Sequence, residues 1–64
     1  MTAPAVGDIF KWDSSPCTYV VTEIKVQFDG QLGYEVFLIG PDASGYAGAF
    51  LQAEFREYPW QILA

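Results

Sequence analysis

Few side chains in this sequence could run a reaction. There is no histidine, so the commonest general base near neutral pH is missing. Cys17 is the only thiol. A reactive thiolate needs a neighbouring cation or helix N-terminus to lower its pKa, and none stands near it in sequence. Cys17 therefore reads as a small apolar packing residue. Two carboxylate pairs, Asp8 with Asp13 and Glu54 with Glu57, have the residue type for acid–base work. That work needs a cleft that drives the two pKa values apart, and a chain of 64 residues has little room for one. The four read as solvated charges, with Asp8 after Gly7 set to bond the amides of a turn. In Asp42-Ala43-Ser44-Gly45 two side chains bear oxygen, whereas calcium takes roughly six to eight oxygens. This segment reads as a plain turn. One thiol without histidine cannot supply the nitrogen and sulfur ligands of a zinc site. The glycines match neither G-x-G-x-x-G nor a Walker loop. No catalytic residue, cofactor site or metal site is expected.

The composition says how such a chain can fold. Its length indicates one domain, with residues 1–5 as a loose lead-in and 6–64 as the folded unit. A chain this short buries only about 60% of the surface its unfolded form exposes. A single cysteine rules out an internal disulfide, so stability must come from a rich core. The sequence provides one: 52% of residues are apolar and 17% aromatic. The net charge is −5, with only Lys11, Lys25 and Arg56 as cations. Three cations against eight carboxylates make a poor surface for phosphates or anionic lipid. No stretch has the ~20 apolar residues of a transmembrane span, and Met1-Thr2-Ala3-Pro4-Ala5 lacks the basic and apolar regions of a signal peptide. A lone free thiol fits a reducing compartment, so a cytoplasmic location is expected.

The pattern along the chain is that of strands. Ile9-Phe10-Lys11-Trp12 reads as a first strand, and residues 13–16 form a turn cluster. Residues 17–28 are the strongest strand signal, rich in β-branched and aromatic types. Tyr19 and Val21 have one parity, and Ile24, Val26 and Phe28 the other. One extra residue near Thr22-Glu23 would bring all five to the same side, which predicts a β-bulge there. Asp29-Gly30 is a hairpin signal. Residues 32–39 follow as the partner strand, with Tyr34, Val36 and Leu38 on one face and Glu35, Phe37 and Ile39 on the other. This strand is apolar on both faces, so its second face must be covered or sticky. After a loop, residues 46–50 form a short strand of small residues between two aromatics. Leu51 and Phe55 are spaced as one helical turn. Residues 57–63 read as the last strand, with Tyr58, Trp60 and Ile62 on one face. Pro59 cannot donate to a ladder, so this strand belongs at an edge or a bulge.

Five short strands, a bulged long second strand and one helical turn before the last strand make an all-β domain. It resembles the SH3-like small barrels in Val6-Gly7-Asp8-Ile9, Tyr19-x-Val21-x-x-Ile24, Phe50-Leu51-x-x-x-Phe55 and Tyr58 leading the final strand. It is similar in particular to short SH3-like proteins of phage and prophage type. The resemblance implies a five-stranded SH3-like barrel, and a host cytoplasm as location if the protein is phage-encoded. Peptide-binding SH3 domains have a long acidic first loop, whereas here residues 13–16 alone separate the first two strands. Polyproline recognition is not expected.

The aromatics carry the functional expectation. Phe10, Tyr19, Phe28, Phe55 and Tyr58 are assigned to the core. Trp12, Phe37, Tyr46 and Trp60 fall on second faces or at strand ends, and are the candidate partner-binding residues. Tyrosine and tryptophan dominate interface hot spots, so an aromatic patch rimmed by Asp42, Glu54 and Glu57 suits a protein partner or self-association, with the chain a monomer or a homodimer. A nucleic-acid-binding barrel would fit the aromatics but not the charge. An acidic mimic that blocks a DNA-binding protein would need more carboxylates, set in rows.

Overall fold

The computed structural model describes residues 3–27, 29–41 and 44–64. It contains five strands and one helix: β1 (Ile9–Trp12), β2 (Thr18–Val26), β3 (Leu32–Gly40), β4 (Gly45–Leu51), α1 (Gln52–Glu57) and β5 (Trp60–Ile62). They form one antiparallel sheet in the order β4-β3-β2-β1-β5. The first four strands run as a meander, and β5 returns to pair with β1. The sheet is not closed into a barrel: no ladder joins β4 to β5 among the described residues. Helix α1 stands between them in the chain, and β5 is only three residues long.

Turn chemistry fixes the connections. Before β1, Gly7 takes a positive φ of 93°. Its neighbour Asp8 accepts the Ala5 amide on Oδ2 at 2.8 Å, the turn role expected of it. The Gly7 amide donates to the Val21 carbonyl at 2.8 Å, which ties this turn to β2. Pro4 is buried and Ala3 packs against the core. Between β2 and β3, Gly30 has φ 88°. There the Gln27 amide reaches the Gln31 carbonyl at 2.7 Å, while Asp29 Oδ1 accepts the Gln31 amide at 3.1 Å.

The expected bulge lies in β2. The β2–β3 register passes from Val21↔Val36 directly to Glu23↔Glu35, leaving Thr22 as the extra residue. Tyr19, Val21, Ile24 and Val26 thereby share one parity; Phe28, the fifth of that set, lies outside the described residues. A bulge also bends its strand, which helps wrap β2 around a core on one face.

That core comprises Phe10, Trp12, Val21, Tyr34, Val36 and Phe55, with Tyr19, Ile24, Leu32, Phe50 and Trp60 packed against it. Phe55 is the aromatic plug that α1 lowers onto the sheet. Its ring stacks on Trp12 (centroids 4.7 Å, 22° between planes) and meets Phe10, Tyr34 and Trp60 edge-on at 5.3, 5.2 and 5.6 Å. A six-residue helix is too short to be stable alone. This one is held by its plug and by Glu54, whose carboxylate accepts the Leu51 amide at 2.7 Å.

The last segment differs from the expected strand over 57–63. Glu57 belongs to α1, and the strand begins at Trp60. Proline disfavours helical backbone in the residue before it, and Tyr58 accordingly ends the helix in an extended conformation (φ −116°, ψ 140°). The same turn corrects the core assignment of Tyr58. Its side chain points outward, 54% exposed, and Trp60 takes the inner position. Strand β5 is an edge strand, one of the two positions expected from Pro59.

Candidate functional site

The four candidate aromatics separate into two groups. Trp12 is corrected from surface to core. It is 9% exposed, because Phe10 and Trp12 alternate inward along β1 while Ile9 and Lys11 face out. Its register partner Trp60 is half-buried on the same face, with the indole Nε1 donating to the Phe55 carbonyl at 3.0 Å. Both indoles thus lie on the core face of the sheet. Phe37 and Tyr46, by contrast, are 41% and 66% exposed on the outer face of the sheet.

Registry brings these two together and adds neighbours. Ile9 pairs with Val20, Val20 with Phe37, and Phe37 with Tyr46. All four lie on the face opposite the core. Leu63 extends the row past β1: it has the parity of Gln61, which pairs with outward Lys11, and its amide donates to the Ile9 carbonyl at 2.8 Å. The result is an apolar stripe, Leu63–Ile9–Val20–Phe37–Tyr46, crossing the sheet from edge to edge. At about 4.8 Å per strand it is roughly 19 Å long. Ile39, the extra residue of a second irregularity at Thr18/Tyr19, is also exposed beside it.

Charges border the stripe. On one side Lys25 meets Glu35 at 2.9 Å and Glu23 at 3.9 Å. The hydrogen bond from Lys25 holds the Glu35 carboxyl below the usual carboxylate range, with smaller help from the Tyr46 hydroxyl. Desolvation against the sheet, and after it the Glu35 carboxylate, raises the Tyr46 phenol above its ordinary value. This side sets one cation against two carboxylates and so keeps a net charge of −1. On the other side stands Lys11.

The groups weighed for chemistry take structural positions. Asp8 holds a turn, Asp13 accepts a bond from Gln61 Nε2 at 3.4 Å, and Glu54 caps α1. Cys17 is half-buried beside Tyr19, whose phenol is raised first by burial and then by that neighbour. Asp42, placed in the acidic rim, lies outside the described residues. Among the described residues no three His, Cys, Asp or Glu side chains gather to hold a metal ion, and no helix is long and apolar enough to cross a membrane. An open groove of about 510 Å³ lies between the β2–β3 turn and α1, lined by Gln31, Gln52, Ala53, Arg56 and Glu57. Its ionisable side chains, Arg56 and Glu57, are both exposed.

Ile9, Val20 and Leu63 were not among the sequence-derived candidates, although a signal for them exists. Ile9-Phe10, Val20-Val21, Val36-Phe37 and Ile62-Leu63 are adjacent apolar pairs in strands, and alternation sends one member of each pair to the face away from the core. Compared with known protein families, curated proteins and solved structures, the chain matches none of them.

Proposed function

We propose that this chain is a non-catalytic protein-interaction module whose contact surface is the outer apolar stripe, with Phe37 and Tyr46 as its anchors. We also propose that it is kin to the SH3-like small barrels of phage and prophage type and acts in the cytoplasm. The strand order, the helix before β5 and the bulge in β2 support that kinship. The observation that carries the functional reading is the stripe itself: a row of apolar side chains across β1 to β4, continued beside β1 by Leu63, on the face the core does not use. Exposed apolar surface of this kind, rimmed by polar residues, marks contact sites.

The size of the effect follows from exposure. An aromatic side chain offers roughly 200 Å², so covering the 41% of Phe37 that is exposed removes roughly 80 Å² from water. At about 25 cal/mol per Å² this is about 2 kcal/mol, or some 30-fold in Kd.

The test is affinity capture from host extract with four baits: the wild-type chain, Phe37→Ser, Tyr46→Ser and, as control, Tyr58→Ser. Tyr58 is exposed but lies off the stripe. A protein held by wild type and Tyr58→Ser, and lost with Phe37→Ser and Tyr46→Ser, supports the reading. Equal capture by all four baits, or none by wild type, refutes it.

A further inference from the structure

The two edges of the sheet are built differently. Strand β5 is three residues long and follows Pro59, two of the devices that keep an edge from recruiting another strand. Strand β4 has seven residues, Gly45–Leu51, with no proline and no charge. Between Tyr46 and Phe50 it carries nothing larger than a methyl group. Among the described residues, no backbone group of residues 45–50 bonds anything beyond the β3 ladder. One device is present: the β3–β4 register steps from Val36↔Gly48 to Phe37↔Tyr46, leaving Ala47 as an extra residue. That irregularity leaves the stretch from Gly48 to Leu51 in regular register with β3.

We infer that β4 is a homodimer edge: it pairs antiparallel with β4 of a second copy, about a two-fold axis at Ala49. This goes beyond the stripe, since it uses backbone groups that the stripe does not.

The occupant is a second copy for three reasons. Strand addition gains selectivity from pockets for alternate side chains, and between Tyr46 and Phe50 this edge has neither a charge nor a side chain larger than a methyl group with which to select a foreign sequence. Its own β4 is matched in length and equally uncharged. A two-fold pair uses the same edge on both copies and closes at two, whereas the guarded β5 edge offers no route to a filament. The register centred on Ala49 avoids the irregularity at Ala47. It sets Ala49 against Ala49 on the outer face and Phe50 against the partner's Gly48 on the inner face. It leaves the two Tyr46 side chains on the same outer face, three residues to either side of the axis, so the two stripes run side by side and offset along the strands.

The test uses the whole chain. Sedimentation over a dilution series should show a monomer–dimer equilibrium for wild type that shifts to monomer in Ala49→Lys. With −5 on each copy, association should tighten as salt screens the repulsion. In a Cys17→Ser background, Ala49→Cys should cross-link to a disulfide dimer under mild oxidation. Opposed Cα atoms in an antiparallel pair lie about 4.5–5.5 Å apart, within disulfide reach; Tyr58→Cys should not cross-link. Amide exchange on the unmodified chain gives a readout that needs no variant: residues 48–50 should gain protection as concentration rises. Wild type that stays monomeric throughout, or a dimer that Ala49→Lys leaves intact, overturns the proposal. A dimer lost with Phe37→Ser but kept in Ala49→Lys means face-to-face contact, which overturns the edge while the stripe stands.

Discussion

Trp12→Ala and Tyr46→Ala make the most discriminating pair of substitutions, because each removes one large ring from a face the structure assigns clearly. Trp12 is 9% exposed, stacks on Phe55 and meets Phe10 edge-on at 5.7 Å. Truncating a buried tryptophan costs about 3–5 kcal/mol. Stability for 64 residues, at roughly 0.05–0.15 kcal/mol per residue, is about 3–10 kcal/mol in total. At the full cost Trp12→Ala would therefore be unfolded, or have lost most of its stability. One term works against the full cost: the Trp12 Nε1 is buried without a partner, and removing an unsatisfied donor returns about 1–3 kcal/mol. The expected loss settles at about 2 kcal/mol, or roughly 8–16 °C in Tm at about 4–8 °C per kcal/mol. Tyr46 is 66% exposed and pairs with Phe37 across the strands. Such a pair contributes about 0.2–1 kcal/mol, so Tyr46→Ala should lower Tm by less than about 8 °C. Thermal and urea unfolding followed by circular dichroism measure both. Equal losses in the two variants, or a Trp12→Ala protein as stable as wild type, would refute the division into an inner and an outer face.

Three further outcomes are expected. The Glu35 carboxyl is held low in the folded state, chiefly by the Lys25 hydrogen bond. A depressed carboxyl adds stability that is present above its unfolded pKa and lost as pH falls through the folded one. Carbon-detected NMR should find Glu35 titrating below an ordinary glutamate, and Lys25→Met should abolish that displacement; an unchanged titration in Lys25→Met would exclude the pair as its cause. Glu54→Ala removes the acceptor of the Leu51 amide and should cost about 0.5–2 kcal/mol, read by chemical denaturation. If the loss is nil, Phe55 alone holds α1 in place. Deleting Thr22 leaves every inward residue of β2 inward, since Val21 and Glu23 already pair with the adjacent Val36 and Glu35. It removes the bend and, with it, the Thr22 hydroxyl's hydrogen bond to the Glu35 carbonyl at 3.3 Å. The variant should keep its far-ultraviolet β signal while near-ultraviolet aromatic dichroism weakens, and an unchanged aromatic spectrum would show that the bulge does not shape the core.

Most of the fold was legible in local pattern. The parity break between Val21 and Ile24 placed the bulge, Pro59 limited the last strand to an edge or a bulge, and the Leu51–Phe55 spacing marked α1. The errors arose where two rules met. Trp12 was read as a strand-end residue, although its spacing from Phe10 gives both the same face. Tyr58 was read with Trp60 and Ile62 by alternation, but it belongs to the helix terminus, where pre-proline geometry governs direction instead of strand parity. The stripe was half visible. Phe37 stood out because β3 is apolar on both faces, while Ile9, Val20 and Leu63 join it only through pairing between strands distant in sequence. No local pattern encodes that registry; it follows from the bulge and the turns together.

Stability alone does not account for the stripe. The core is complete without it: Phe10, Val21, Val36 and the Phe55 plug are buried on the other face. Each cross-strand pair on the outer face contributes about 0.2–1 kcal/mol, and threonine, another strand former, would fit the same pleat with a polar surface. An apolar outer face thus adds little to folding and brings a tendency to associate. That tendency is bordered by Lys11 and the Lys25–Glu35–Glu23 group and carried on a chain of net charge −5, which limits indiscriminate aggregation. An apolar row that folding does not require, bordered by charge, is the form a specific contact surface takes. The same argument applies to β4, where a long uncharged edge stands opposite one shortened and preceded by proline.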